Sequence, residues 1–420
     1  MSDKVKINGC SCSRRDFLRG GLYGLGIASG MPYLLKETSM ALAAESLDEA
    51  EKERERILVV IELGGGNDGL NTVVPYGDDE YYRVRPNLGI REEKLLKIDD
   101  HFGFHPSLQG FDQLYKDGNM AIVHGCGYEN PSLSHFTSMG YWHTGTPNGG
   151  DELGWLGRYA DAQCPESRKN LLVNLGNRQA MAVTSKVHTP LVFSDPSRFK
   201  RNAHEGQEAH FENMSHFKKS DNDTLSFLRN VSNNAAESSE YVREAIARYS
   251  SPVDYGVLAA LGGDLRRVSA LIDSGMPTRV YYVTYRGNSF DTHVHQADLH
   301  ERLLMYTSDA VSGFMKDMDR IGRADDVSVM MFTEFGRRVE ENANAGTDHG
   351  TATPMFMFGN NVKGGQYGPP VNLTDLNDGN LKMTTDFRRV YSTLISEWMG
   401  YEQNETILKG EFDSLGAFEA

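Results

Sequence analysis

The chain has 420 residues, 39% hydrophobic and 24% charged, which is ample material for a large core and excludes a predominantly disordered protein. A formal net charge of -15 repels phosphate backbones at long range, so the bulk surface does not attract nucleic acid. An anionic substrate therefore needs a local positive centre, and a bound metal ion supplies one.

The first forty-odd residues read as a targeting segment. SRRDFLRG, from Ser13 to Gly20, carries Arg14 and Arg15 ahead of a mildly apolar stretch that ends near Leu35, and Ala41-Leu42-Ala43 offers a small-x-small cleavage site. Residues 1–43 are thus expected to be a twin-arginine signal. That implies the twin-arginine translocase as an export partner and a periplasmic or extracellular destination. The apolar part is short and broken by glycine and Pro32, and no later stretch reaches about 18 apolar residues, so no stable membrane span is expected. Twin-arginine export carries folded proteins, which suits a metal inserted beforehand. Cys10 and Cys12 lie in the charged start, leaving Cys126 and Cys164, which fit a disulfide or two free thiols equally.

In the mature chain, residues 44–420, apolar runs bounded by turn residues predict strands over Ile57 to Leu63, Met120 to His124, Leu171 to Leu175, Pro190 to Phe193, Val280 to Tyr285, Val327 to Thr333 and Met355 to Phe358. Their near-continuous apolarity fits strands covered on both faces. Apolar residues at helical spacing follow from Ala297 to Ile321 and from Phe387 to Met399. The alternation predicts an α/β three-layer sandwich around a mostly parallel sheet. Between about 195 and 250 lysine, glutamate, asparagine and serine dominate, which predicts a polar helical insertion with a solvated face.

Four acid-and-histidine clusters and one serine motif carry the chemistry. Asp68 stands in IELGGGNDG. Its glycines formally match a dinucleotide fingerprint, but LNTVVPYGD follows where a phosphate-binding helix should begin, so small residues clearing space for the Asp68 carboxylate is the better account. In NPSLSHF, Ser134 is the candidate nucleophile at a helix start, with Ser132 the alternative and His135 expected either behind the metal ligands or against substrate; ordinary N-capping competes with both serine roles. In FDTHVH, Asp291 and His295 are four apart, a spacing that converges on one metal if the segment turns helical, with His293 then second to them. Glu334 ends VSVMMFT, where an unpaired carboxylate is costly, so it needs a metal or a partner such as Arg337 or Arg338. Asp348 and His349 sit in the Gly-flanked turn GTDHG.

The order of these motifs, GGNDGLNTVVPY, SHF with GWLGRYAD, FDTHVHQ, TEFGR, GTDHG and DFRRVYSTLISEWMG, resembles the exported family called domain of unknown function 1501, within the alkaline phosphatase and sulfatase superfamily. That resemblance implies an alkaline phosphatase-like fold. It also implies one or two divalent metals, zinc, calcium, magnesium or manganese not being distinguished. The first ion would be held by Asp291, His295 and His349, and the second by Asp68, Glu334 and the nucleophile Ser134, with Asp348 nearby. Phe335 stands where many relatives have a histidine ligand, which puts the second ion in doubt. The activity implied is hydrolysis of a phosphate or sulfate ester, on an anionic ester substrate or polymer. The alternative is a non-catalytic exported binding or surface-assembly protein that keeps part of the metal site.

Overall fold

Every residue of ILVVIE is buried, and its side chains alternate between two separate cores, so this segment can only be a central strand covered on both faces. The computed structural model describes residues 55–197, 237–285 and 287–419. Among the described residues the main sheet has nine strands: β1 (Ile57–Glu62), β2 (Met120–Gly127), β3 (Leu172–Leu175), β4 (Leu191–Phe193), β5 (Val280–Thr284), β6 (Val327–Phe332), β7 (Thr353–Phe358), β8 (Gly365–Tyr367) and β9 (Thr385–Asp386). They run in the order β8, β2, β7, β6, β1, β5, β3, β4, with β9 also beside β2. All pairings are parallel except those of β7, which is antiparallel to β6 and to β2.

Helices cover both faces. Ile57, Val59 and Ile61 share a core with Phe111 of α1 (Gln109–Lys116), Leu265 of α4 (Leu261–Asp273) and Phe314 of α5 (Gln296–Arg320). Leu58 and Val60 pack instead with Trp142 of α2 (His135–Thr144), Trp155 of α3 (Trp155–Gln163) and Tyr391 of α6 (Arg388–Thr393). Each such side chain contributes about 1.5–3 kcal/mol of burial, enough to fix which residue faces which layer. The fold is a three-layer sandwich on a mostly parallel sheet.

All seven predicted strands form, and the long predicted helix spans Gln296–Arg320. The C-terminal stripe breaks into α6 and a π-helical turn over Leu394–Trp398. Residues 237–248 of the polar insertion are helical; 198–236 and the signal segment lie outside the described residues. Cys126 and Cys164 are both free, the first buried. No helix among the described residues is long and apolar enough to cross a membrane.

The topology decides where the chemistry gathers. β1, β2, β5 and β6 run the same way, so the segments that follow them emerge on one edge, the carboxyl edge where open α/β sheets bind ligands. Because β7 runs the opposite way, the segment that precedes it returns to that same edge. The GTDHG turn is that segment.

Candidate metal centre

The loop after β1 is shaped by two glycines at positive φ, Gly65 at 117° and Gly66 at 77°. A Cβ on Gly65 would lie 2.5 Å from the backbone nitrogen of Asp291, and one on Gly66 would lie 2.5 Å from the Phe335 ring. Two side chains clamp this loop. The Glu334 carboxylate accepts from the amides of Gly65 at 2.9 Å and Gly66 at 3.1 Å, and the Arg337 guanidinium donates to the carbonyls of both. Gly65 lets the loop after β1 lie against the backbone after β5, and Gly66 lets it lie against the Phe335 ring after β6.

Three donor groups then meet. One atom each from His135, Asp291 and His349 lies within 4.8 Å of the other two, the only such group found among the described residues. Asp291 follows β5, His135 opens α2 after β2, and His349 precedes β7. Asp291 Oδ1 is 3.1 Å from His349 Nε2, and Asp291 Oδ2 is 3.4 Å from His135 Nε2.

The other ring nitrogens fix the tautomers. His135 Nδ1 is 2.7 Å from a Glu334 oxygen, and His349 Nδ1 is 2.8 Å from the Leu133 carbonyl. A carboxylate and a carbonyl only accept, so each Nδ1 carries the proton and, in the neutral ring, each Nε2 presents a lone pair toward Asp291. This is the arrangement that orients and strengthens a metal-ligating imidazole. His135 Nε2 is buried and has no hydrogen-bond partner. Lone pairs converging on a carboxylate call for a cation among them, so the residues present fit a divalent ion.

Electrostatics point the same way. Burial pushes the Asp291 carboxyl up, but the hydrogen bond and positive charge of Arg337 oppose this, and its pKa is held at about 2. The hydrogen bond to Glu334 makes the His135 ring more basic against the opposing effect of its burial. His293 stands beside the group, its Nε2 3.0 Å from both Asp291 Oδ1 and His349 Nε2 and its Nδ1 3.2 Å from Asp348 Oδ1.

The expected ligands thus part company. Asp291 and His349 come together, but His295 does not join them. The segment from Asp291 to His295 is not helical; α5 begins at Gln296, and His295 is an exposed N-cap at φ 45°. The four-residue spacing therefore loses its meaning, and His135 supplies the second imidazole. Asp68 is fully buried elsewhere, 2.6 Å from Arg85 and 2.5 Å from Gln296, rather than placed by the glycines against an ion. Glu334 is held by the Gly65 and Gly66 amides, the Thr333 hydroxyl and His135, and neither it nor Asp68 belongs to any group able to hold a metal. Among the described residues, those expected for a second ion do not gather into one group. Ser134 is the exposed N-cap of α2, with no side-chain capping bond, and its amide donates to Ser132 Oγ at 3.2 Å. Arg337, first weighed as a partner for Glu334, instead lies 2.8 Å from Asp291. Arg85 and Gln296 carried no sequence signal of their roles.

Among solved structures, the chain is similar to the PsFucS1 sulfatase from Pseudoalteromonas sp., with 11% identity over 91% of this chain and 74% of that one and a TM-score of 0.38. It is also similar to a protein in the alkaline phosphatase superfamily from Vibrio parahaemolyticus, with 10% identity over 85% and 69% and a TM-score of 0.38. A third is the phosphonate monoester hydrolase SpPMH from Silicibacter pomeroyi, with 10% identity over 85% and 77% and a TM-score of 0.36. Superpositions this loose carry no argument about chemistry. No curated protein matches the chain. A family model described as "Protein of unknown function (DUF1501)" matches residues 55–409, and the chain belongs to that family.

Proposed function

We propose that the chain is an exported, metal-dependent hydrolase of anionic esters, phosphate or sulfate, with one divalent ion held by His135, Asp291 and His349. The observation that carries this reading is the convergence of two imidazole Nε2 atoms, each with its Nδ1 committed to an acceptor, on a carboxylate anchored by Arg337. A divalent ion held there supplies a Lewis acid for an ester oxygen and the positive centre that a chain of net charge -15 otherwise lacks. Ser134 is the proposed nucleophile: it is exposed, adjoins the ligand His135 and stands at the positive end of α2, where an alkoxide is favoured. Arg337 holds Asp291 ionised and in place, and Glu334 fixes the ring of His135. Export rests on Arg14 and Arg15 in the signal-like segment.

A second reading, a non-catalytic binding protein that keeps the ion, is favoured by one observation. Glu334 is fully engaged by protein groups and Phe335 packs against Gly66, so the two-ion arrangement implied by the motifs is not built. The deciding experiment measures the metal content of the mature protein and its turnover of aryl phosphates, phosphodiesters and aryl sulfates, alongside Asp291→Ala, His349→Ala and Ser134→Ala. One ion per chain, lost in the first two variants, with turnover lost in all three, supports the hydrolase. No stoichiometric ion refutes both readings, and an ion without turnover leaves the binding protein.

A further inference from the structure

A pocket of about 290 Å³ opens directly beside the metal-binding cluster. The two share a wall: the Phe335 ring lies 4.9 Å from the His135 ring and 4.7 Å from the His349 ring, and Phe335 and Glu334 also line the pocket. Its floor is buried and largely apolar, made by Tyr128, Trp142, Phe335 and Ala352. Its rim is exposed and polar, with Glu129, Asn130, Asn377 and Lys382. Trp142 is 1% exposed and stacks on Phe332 and Phe387, so it gives the floor apolar ring surface.

We propose that this pocket binds one uncharged pyranose-sized ring, the alcohol part of the ester whose acid group sits at the His135, Asp291 and His349 cluster. The volume lies at the bottom of the range of ligand pockets, roughly 300–1,000 Å³, which admits one ring and not a run of polymer. An apolar floor under a hydrogen-bonding rim matches a sugar ring, with its C-H face and its edge of hydroxyls. A charged group is disfavoured: the Lys382 ammonium is paired with Asp375, and Glu129 adds negative charge to the rim. The hydrolase reading enters only in what the ring is attached to.

The test is saturation-transfer NMR on the mature, metal-loaded protein with the methyl glycosides of glucose, galactose, mannose and fucose, and with phenol as the aromatic control. Met383, half-buried on the pocket wall, is replaced by tryptophan to fill the space, and Asn377→Ala removes one rim donor without filling it. At least one glycoside is expected to bind the wild type, with its Kd raised about tenfold or more in Met383→Trp. The same Kd should rise about threefold in Asn377→Ala, the loss of one neutral hydrogen bond. Thermal midpoints and metal content are measured for both variants, so that misfolding is seen directly. Binding of no glycoside, of phenol alone, or binding unchanged in both variants overturns the assignment. Glycoside binding without ester turnover overturns the hydrolase reading and leaves the pocket; turnover without glycoside binding does the reverse.

Discussion

Arg337 holds the site's loops together, and removing its guanidinium tests that directly. Its side chain is fully buried and donates to Gly66 O at 2.6 Å, Thr347 O at 2.9 Å, Phe290 O at 3.0 Å and Asp291 Oδ1 at 2.8 Å, as well as to Gly65 O. Arg337→Met keeps most of the apolar stem and strands four carbonyls and a carboxylate. An acceptor left without a partner in a buried setting costs about 1–3 kcal/mol, but these do not add, because Asp291 is partly exposed and water reaches it. Breaking one side of a buried ion pair costs about 3–5 kcal/mol, and the expected loss lies in that range. Arg338→Met is the control: its side chain is 37% exposed and its partner Asp378 is 93% exposed at 3.8 Å, so a change within about 0.5 kcal/mol is expected. Urea unfolding followed by circular dichroism reads both variants. Without Arg337 the Asp291 carboxyl also titrates at higher pH. If Arg337→Met unfolds at the wild-type urea midpoint, the guanidinium is not what holds these loops and the reasoning fails.

Two further perturbations probe the scaffold. Gly66→Ala places a Cβ 2.5 Å from the Phe335 ring at a φ of 77°, so a loss of about 2 kcal/mol or more is expected; Gly66→Ala with Phe335→Ala should recover the overlap but not the backbone strain, and full recovery in unfolding experiments would refute the strain. Far from the site, burial pushes the Asp317 carboxyl up, and hydrogen bonds from Tyr249, Tyr255, Arg320 and Ser251 more than reverse this, leaving its pKa below the ordinary value. A carboxyl depressed in the folded state contributes stability above its unfolded pKa of about 3.9, and that stability disappears as pH falls through the folded pKa. Asp317→Asn should therefore unfold more easily at neutral pH and show a shallower loss of stability below about pH 4, a slope that unfolding midpoints across pH measure directly.

The layers were legible because they depend on short-range pattern. Ile57 to Leu63 and Val327 to Thr333 are apolar on both faces, and only a strand between two helical layers buries both. The carboxyl edge followed from the same parallel sheet, and Asp291 and His349 meet there. What was not legible turned on single backbone torsions. Had Asp291 to His295 been helical, His295 would have met Asp291; because the chain stays irregular until Gln296, His295 turns outward and His293 approaches Asp291 at 3.0 Å. His135 carried a signal in NPSLSHF, but its role depends on how Ser134 enters α2, with φ -89° and ψ 123°, and no periodicity reports that.

The fate of the second expected site shows how one cluster of acids became a scaffold and another stayed a candidate centre. A buried carboxylate needs a cation or several donors, and a metal is only one way to meet that need. Asp68 meets it with Arg85, whose Nη1 is 2.6 Å away and also reaches Asn71 at 2.7 Å, while the remaining guanidinium nitrogens bond to the carbonyls of Arg338 and Val339. Glu334 meets it with two loop amides, the Thr333 hydroxyl and the proton on His135 Nδ1. Asp291 has Arg337, but that contact uses Oδ1 and leaves Oδ2 facing the unpartnered Nε2 of His135. The difference is therefore in which donors stand nearby. Asp68 leaves its buried Oδ1 without a hydrogen-bond partner yet stands in no group of three donors able to hold an ion among the described residues, whereas Asp291 faces the Nε2 atoms of both His135 and His349. An ion on Glu334 would first have to displace the glycine amides from it, undoing the loop that brings Asp291 to His135.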